Sequence, residues 1–183
     1  MAKAALQKDW YELVAPELFG REVVAETPAE EPEKVEGRNV KVDLEELLPD
    51  TDRYYMDVFL RVEDVEGSKA KTSIAGHDVS SEYISRMVSR RSDRIDAVED
   101  VETKDGKNIR VKVVGVTIRK TSSSRVNAVR KRMREAIQEE AEGKDVEEFM
   151  DSIFEGRLQQ KLRDVSQDIY PLRDVEVRKT EVQ

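Results

Sequence analysis

The chain has 183 residues and a formal net charge of −8, with 40 acidic side chains against 32 basic ones. This length suits one domain with a sizeable core, and the absence of cysteine excludes disulfides, thiolate nucleophiles and cysteine metal sites. No segment approaches the roughly 18 apolar residues of a membrane span, so we expect a cytoplasmic protein without a membrane-bound part.

The N-terminal part of the chain alternates short apolar runs with turn signals. Trp10 to Ala15 predicts a strand, and a second short apolar run follows at Glu22 to Thr27. The segment from Thr27 to Gly37 is rich in proline and glutamate, which predicts an exposed loop. The next strand is predicted from Asn39 to Leu44.

The middle of the chain predicts two strand pairs and one helix. Arg53 to Val65 has apolar residues at every second position, and Ala70 to Val79 follows as its partner strand. A helix is predicted from Ser80 to Arg91, with Ser80 or Ser81 as its N-cap. Two further apolar runs flank Asp105-Gly106, and this dipeptide is typical of a β-hairpin turn.

From Thr121 onward the apolar spacing becomes helical, and it stays so until Pro171. We therefore predict an α+β fold in a single domain spanning residues 1–183. Its mostly antiparallel, β-barrel-like core covers about residues 9–118, with the inserted helix at 80–91. A helical segment at about 121–170 and a final strand at about 174–182 complete the C-terminal half.

The sequence offers no constellation of residues for catalysis. His77 is the only histidine, and Asp78 beside it in a strand points to the opposite face. We therefore expect a structural histidine with satisfied hydrogen bonds. Phosphate-binding glycine motifs and metal-ligand spacings are absent from the sequence. We predict a protein that is not an enzyme, with no cofactor, no metal site and no small-molecule substrate.

Positive charge is concentrated in one segment, Arg119 to Arg134, which we call the basic block. It holds seven lysine or arginine residues and no acid, although the chain as a whole is acidic. A like-charge cluster costs self-repulsion that an external polyanion would relieve, so the block favours nucleic-acid phosphates. The alternative is a solvated helix face with salt bridges, which predicts interspersed acids. We expect replacement of Arg125, Arg130 and Arg134 by glutamine to leave folding nearly intact.

Aromatic residues suggest a second interpretation, single-strand binding by stacking on bases. The candidates lie in two pairs near predicted strands: Trp10, Tyr11, Tyr54 and Tyr55. For Trp10, the only tryptophan, we expect burial in the core instead.

Six segments of the sequence resemble one family of ribosomal proteins. They are KDWYELVAPELF (Lys8 to Phe19), GRNVKVDLEEL (Gly37 to Leu47), GHDVSSEYI (Gly76 to Ile84), VETKDGKNIRVKVVGVTIRKTSSSR (Val101 to Arg125), VRKRMREA (Val129 to Ala136) and IYPLRDVEVRKTEV (Ile169 to Val182). In this order, along nearly the whole chain, they resemble the archaeal and eukaryotic small-subunit family e-S-one (eS1), called S-three-A in eukaryotes.

The resemblance implies a non-enzymatic component of the small ribosomal subunit in the cytoplasm that binds ribosomal RNA. It places the protein on the platform near the messenger RNA exit and the 3′ end of the small-subunit RNA, beside other platform proteins. Contact with messenger RNA at the exit site is left open. A free-standing single-stranded nucleic-acid-binding or ribosome-assembly module with the same fold is the alternative.

The resemblance also assigns RNA binding to particular residues. The first set lies in the basic block: Arg119, Lys120, Arg125, Arg130, Lys131 and Arg134. A second set lies near the N-terminus, on the predicted helix and on the final strand: Lys8, Arg86, Arg90, Arg91, Arg178 and Lys179. Whether Arg119 to Ser124 forms a loop or continues the preceding strand is open at this point.

The net charge departs from the family pattern, because members are commonly basic whereas this chain carries −8. Strong acidity is a lever used by halophilic proteins. We therefore predict an origin in a halophilic archaeon.

Overall fold

The computed structural model describes residues 8–183, which form eight β-strands, five α-helices and two short 3-10 helices. The strands are β1 (Asp9–Val14), β2 (Val23–Ala29), β3 (Asn39–Asp43), β4 (Met56–Glu66), β5 (Lys69–Val79), β6 (Arg94–Glu102), β7 (Asn108–Thr117) and β8 (Leu172–Val182). The helices are α1 (Leu44–Leu47), α2 (Ser81–Met87), α3 (Ser123–Ala141), α4 (Val146–Phe154) and α5 (Arg157–Ser166). The chain falls into two compact units, which meet at Ala75 and Gly76 along the sequence. The single domain stays a prediction.

The first unit is built from β1 to β4, α1 and the first part of β5. Strand β1 pairs with β2 in antiparallel fashion and with the start of β5 in parallel, while β4 pairs with both β3 and β5. The apolar residues of β4 are buried at every second position, as the sequence predicts. The inward-facing side chains form one core: Tyr11, Leu13, Ala29, Val35, Val62 and Ala70.

Two predictions for the first unit are wrong. The segment after Thr27 is not a loop from its start, because β2 continues through Pro28 to Ala29 as the partner of β1. Strand β2 lies at the end of the strand order, where proline costs no ladder hydrogen bond. Trp10 is 62% exposed rather than buried, because Tyr11 and Leu13 occupy the inward positions of β1.

The second unit contains an antiparallel sheet with the order β5, β8, β7, β6. Helix α3 packs against β6, and α5 packs against both α3 and β8. The predicted α+β class and the C-terminal location of most helices are confirmed. The expected barrel is not formed, because the sheet is open: within the described residues β6 pairs with β7 alone.

The ends of the helices follow the sequence signals. The Ser80 hydroxyl caps α2 by accepting a hydrogen bond from the Tyr83 amide at 3.3 Å. Helix α2 ends at Met87, however, so the predicted helix to Arg91 is too long by about one turn. Helix α4 begins with a capping box formed by Asp145 and Glu148. No helix among residues 8–183 is both long and apolar enough to span a membrane.

His77 lies in β5 and is fully buried in the second unit. Its ring Nε2 donates to the carbonyl oxygen of Val177 at 2.8 Å, so in the neutral ring Nδ1 accepts from the Thr180 hydroxyl at 2.7 Å. The Phe154 ring contacts the imidazole edge to face. The prediction of a structural histidine with satisfied hydrogen bonds is confirmed.

Helix α3 is fixed to the second unit by apolar packing and by one ionic clip. Its apolar stripe is buried at Val129, Met133, Ala136 and Ile137. Each of the larger side chains contributes roughly 1.5–3 kcal/mol by leaving water. At the C-terminal end, Glu140 accepts hydrogen bonds from Lys144 and from Lys161 of α5. Burial raises the pKa of Glu140, but these two ammonium groups outweigh burial and bring its pKa below the ordinary value of 4.5.

We expect Glu140→Gln to lower the free energy of unfolding at pH 7 by roughly 1 kcal/mol, because it removes the charge that joins α3 to α5. The folded-state pKa of Glu140 is lowered, so the stabilisation is present above pH 4.5 and is lost as the pH falls through the folded-state value. The difference between wild type and variant should therefore shrink in urea unfolding at pH 3. Glu142→Gln, an exposed neighbour on the same helix end, is the control. Equal unfolding curves for Glu140→Gln and wild type at pH 7 would contradict the clip.

Candidate nucleic-acid interface

The segment that joins β7 to α3 is a loop, which answers the question left open by the sequence. Strand β7 ends at Thr117 and α3 begins at Ser123. Three backbone hydrogen bonds hold the loop in place. The amide of Ile118 donates to the Pro171 carbonyl oxygen at 3.4 Å, that of Lys120 to the Arg91 carbonyl at 3.0 Å, and that of Thr121 to the Asp93 carboxylate at 2.8 Å.

These contacts bring together basic residues from two parts of the sequence. The turn after α2 carries two of them, and the loop with the first turn of α3 carries three. We call this set the basic cluster: Arg90, Arg91, Arg119, Lys120 and Arg125. All five side chains are exposed, and no acid of the described chain lies within ion-pair distance of any of them. The cluster thus presents five uncompensated positive charges on one part of the surface.

Two features of the cluster were not recognised from sequence. The Arg125 guanidinium lies over the ring of Tyr170, 5.8 Å from its centroid, so Tyr170 helps to position this arginine. Ile118 is 50% exposed beside Arg119 and adds an apolar contact surface to the cluster. No pattern in the sequence separates these two residues from core residues, because their placement depends on the loop contacts.

The start of α3 adds hydrogen-bond donors to the cluster. The first turn of α3 contains no acid, and the N-cap Ser122 makes no side-chain cap. Its hydroxyl lies 3.1 Å from that of Ser124 instead. The first backbone amides of a helix lack intrahelical acceptors and carry the positive end of the helix dipole. Amides and hydroxyls here therefore lie next to Arg125 and favour an anion.

The other cations of the basic block are mostly held by the protein itself. Arg130 donates through Nε to the Asp96 carbonyl at 2.9 Å and through Nη1 to Asn127 at 2.6 Å. Arg132 pairs with Glu139 at 2.9 Å, and Arg134 pairs with the buried carboxylate of Glu99. Lys131 is exposed and makes no ion pair within the described residues. The block is therefore uncompensated in its N-terminal half and mostly paired in its C-terminal half.

The second predicted set is scattered. Lys8 is exposed in the first unit, and Arg86 lies on α2 at 3.7 Å from Glu82. Arg178 is half-buried in β8, and Lys179 pairs with Glu181 at 3.1 Å. In β8, Lys179 lies opposite Lys112, whereas Leu172 lies opposite Thr117 beside the cluster. Only Arg90 and Arg91 of this set join the basic cluster, from a turn rather than from the predicted helix.

The aromatic residues proposed for base stacking are only partly available. Trp10 and Tyr54 are exposed to 62% and 70%, whereas Tyr11 is buried and Tyr55 is half-buried. Tyr54 and Tyr55 contact each other edge to face at 5.7 Å. None of the four belongs to the basic cluster.

The described part of the chain contains no group of three or more histidine, aspartate or glutamate side chains suited to a metal ion. The site that the structure does assemble is the anion-binding surface of the basic cluster. A model of the Ribosomal S3Ae family matches residues 3–183, which includes every residue of that surface. The chain belongs to the ribosomal S3Ae family.

Curated relatives agree with this family. The chain is similar to small ribosomal subunit protein eS1 of Methanopyrus kandleri, with 38% identity over 96% of this chain and 85% of the relative. The eS1 protein of Haloarcula marismortui is 37% identical over 98% of this chain and 84% of the relative. That of Methanothrix thermoacetophila is 36% identical, with 99% and 86% covered. These relatives are archaeal.

Membership of the family has two consequences. An S3Ae-family chain is a structural ribosomal protein that works in the cytoplasm, and it is not an enzyme, as the sequence predicts. Identity with the Haloarcula marismortui relative is no higher than with the Methanopyrus kandleri relative. The comparisons therefore do not support the halophilic origin predicted from the acidity.

Proposed function

We propose that the chain is a structural constituent of the small ribosomal subunit and docks on ribosomal RNA through the basic cluster. The observation that carries this proposal is the set of five exposed cations without acidic partners in a chain of net charge −8. Elsewhere on the second unit, exposed cations such as Arg94 and Arg110 pair with acids. The relatives named small ribosomal subunit protein eS1 support the choice of this particle.

The cluster is suited to the sugar-phosphate backbone more than to bases. Arginine forks match phosphate oxygens in a bidentate geometry, and serine hydroxyls and helix amides add neutral donors beside them. Base stacking needs exposed aromatic rings, and the ring of Tyr170 is covered by Arg125. We therefore propose that the cluster recognises the phosphate path of a folded RNA segment.

The finer location of the protein is proposed from the resemblance described above. It comprises the platform, the region near the 3′ end of the small-subunit RNA, neighbouring platform proteins and messenger RNA at the exit site. Lys131 lies about two turns along α3 from the cluster and extends the proposed surface. Arg130, Arg134, Arg86, Lys8, Arg178 and Lys179 remain predictions.

Sedimentation of cell extract at the organism's own ionic strength tests the proposed function. We expect the protein to migrate with small subunits and to be released by high salt, because phosphate contacts weaken as counterions compete for the RNA. Migration wholly apart from small subunits would overturn the proposal.

A free-standing single-strand binder is the second candidate. The exposure of Trp10 and Tyr54 favours it, since each ring is available for a base. The surroundings of Trp10 argue against it. Glu12 and Glu26 lie opposite each other next to the paired Trp10 and Pro28, and their negative charges repel phosphates.

A further inference from the structure

We propose that the outer edge of β6, together with the adjoining end of α3, binds a basic, extended peptide segment of another protein. This surface lies towards the Glu102 end of β6, whereas the basic cluster lies towards its Arg94 end. The inference therefore goes beyond the proposed docking on RNA and does not depend on it.

The hydrogen-bond pattern of the β6–β7 pair shows which backbone groups point away from the sheet. The amide of Thr103 donates to the Lys107 carbonyl at 2.9 Å, and that of Thr117 donates to the Asp93 carbonyl at 3.0 Å. The register runs without a shift between these two points. Odd-numbered residues of β6 therefore bond to β7, and the N–H and C=O groups of even-numbered residues face outward.

Most of these outward groups have no backbone partner. At Asp96 the carbonyl oxygen accepts from Arg130 Nε at 2.9 Å, which closes the edge near the basic cluster. At Val98, Asp100 and Glu102 no hydrogen bond of the outward backbone groups is present within the described residues. An unpaired edge of this kind is a template for the addition of a strand.

A cleft of about 500 Å³ runs beside this open edge. Its walls come from β6 and from the C-terminal half of α3, and its lining residues are Asp100, Val101, Glu102, Glu135, Gln138, Glu139 and Glu142. Arg110 pairs with Asp100, and Arg132 pairs with both Glu135 and Glu139. Glu102 and Glu142 have no ion-pair partner in the described chain. Five carboxylates thus face two guanidinium groups, and the cleft is negative.

The charge of the cleft selects the occupant. RNA would meet unbalanced carboxylates here, and pairing of two copies through β6 would bring the same acids together. A helical segment satisfies its own backbone and leaves the open N–H and C=O groups of β6 unpaired. An extended segment with lysine or arginine at alternate positions satisfies both requirements, since its backbone adds to β6 while its cations reach the glutamates.

The test is peptide binding to the full chain, followed by amide hydrogen exchange measured by NMR. The probe is a six-residue peptide of alternating valine and arginine, with blocked ends. We expect the amides of Val98, Asp100 and Glu102 to exchange rapidly in the free chain and at least about tenfold more slowly with peptide. The amides of odd-numbered β6 residues should not change. The same peptide with alternate backbone amides methylated should bind more weakly.

Variants separate the electrostatic part from the backbone part. Glu102→Gln with Glu142→Gln should weaken peptide binding about five- to tenfold, because it removes two charges of the cleft. Glu45→Gln with Glu46→Gln removes two exposed acids from α1 and should leave binding unchanged. Arg119→Gln with Lys120→Gln should also leave it unchanged, which keeps this result independent of RNA docking.

Three outcomes would overturn the proposal. The first is slow exchange of the Val98, Asp100 and Glu102 amides in the free chain, which would mean that the edge is already covered. The second is peptide binding without new protection of these amides, since attraction to acids alone would produce it. The third is absence of binding at low salt, in which case the acids serve only to keep the edge from pairing with other chains.

Discussion

Replacing Arg119, Lys120 and Arg125 with glutamine should lower the affinity for small-subunit ribosomal RNA roughly a hundredfold at about 0.1 M salt. Each of these side chains is exposed and lacks an acidic partner, so its charge is available to a phosphate. The slope of the logarithm of affinity against the logarithm of salt concentration should become shallower by up to about 3, roughly one for each lost contact. Filter binding over a range of salt concentrations measures both quantities.

The stability of this triple variant should stay within about 0.5 kcal/mol of wild type, because the three side chains make no ion pair in the described chain. A matched control replaces Lys69, Lys104 and Lys107 with glutamine, which changes the net charge equally at exposed positions outside the cluster. We expect the control to retain its RNA affinity within about threefold. An equal loss of affinity in both variants would show that only net charge matters. An unchanged salt slope in the triple variant would remove the cluster from the interface.

Gly76→Ala should cost about 3 kcal/mol or more in the free energy of unfolding of the second unit. Gly76 lies in β5 opposite Glu181 of β8, with a φ of 151°. A Cβ at this position would overlap the backbone carbonyl oxygen of Thr180, which cannot rotate away as a side chain could. Urea unfolding at neutral pH gives the cost directly.

Gly106→Ala is the matched control for this prediction. Gly106 also has a positive φ, of 75°, in the β6–β7 turn, but an added Cβ would meet no atom within 4 Å. The control should therefore lose only about 1–2 kcal/mol, the cost of the left-handed backbone. Because the Thr180 hydroxyl also bonds to the His77 ring, Gly76→Ala should disturb the imidazole NMR signals, whereas Gly106→Ala should not. Equal losses in the two variants would exclude the backbone overlap as the cause.

The local elements could be predicted because their signals are local. Alternate apolar positions located β4, the Asp105-Gly106 turn located the β6–β7 hairpin, and helical spacing located α3. The sequence could not show whether the sheet closes, since closure depends on which distant strands pair. It also misplaced the end of β2, because proline is a stop signal only when the residue needs a ladder hydrogen bond.

The candidate site was predictable by composition and not by arrangement. The basic block contains Arg119, Lys120 and Arg125, which belong to the cluster, but it also contains Arg134, whose partner Glu99 lies 35 residues earlier in the chain. Glu99 is buried and also accepts from Gln138 at 2.7 Å. Loss of Arg134 would leave this carboxylate under-compensated, so the expectation that its replacement spares folding no longer holds. No spacing rule within the block distinguishes Arg134 from Arg125.

The anchoring of the loop between β7 and α3 has a consequence for assembly. Basic segments that are disordered before they meet RNA lose backbone entropy on binding, at about 1–2 kcal/mol per residue. Here the backbone of Ile118, Lys120 and Thr121 is already tied to three neighbouring segments by hydrogen bonds. That ordering cost is met during folding of the chain, so only side-chain rotamers remain to be fixed at the RNA. A pre-organised cluster of this kind can act as the rigid reference point against which flexible RNA segments settle.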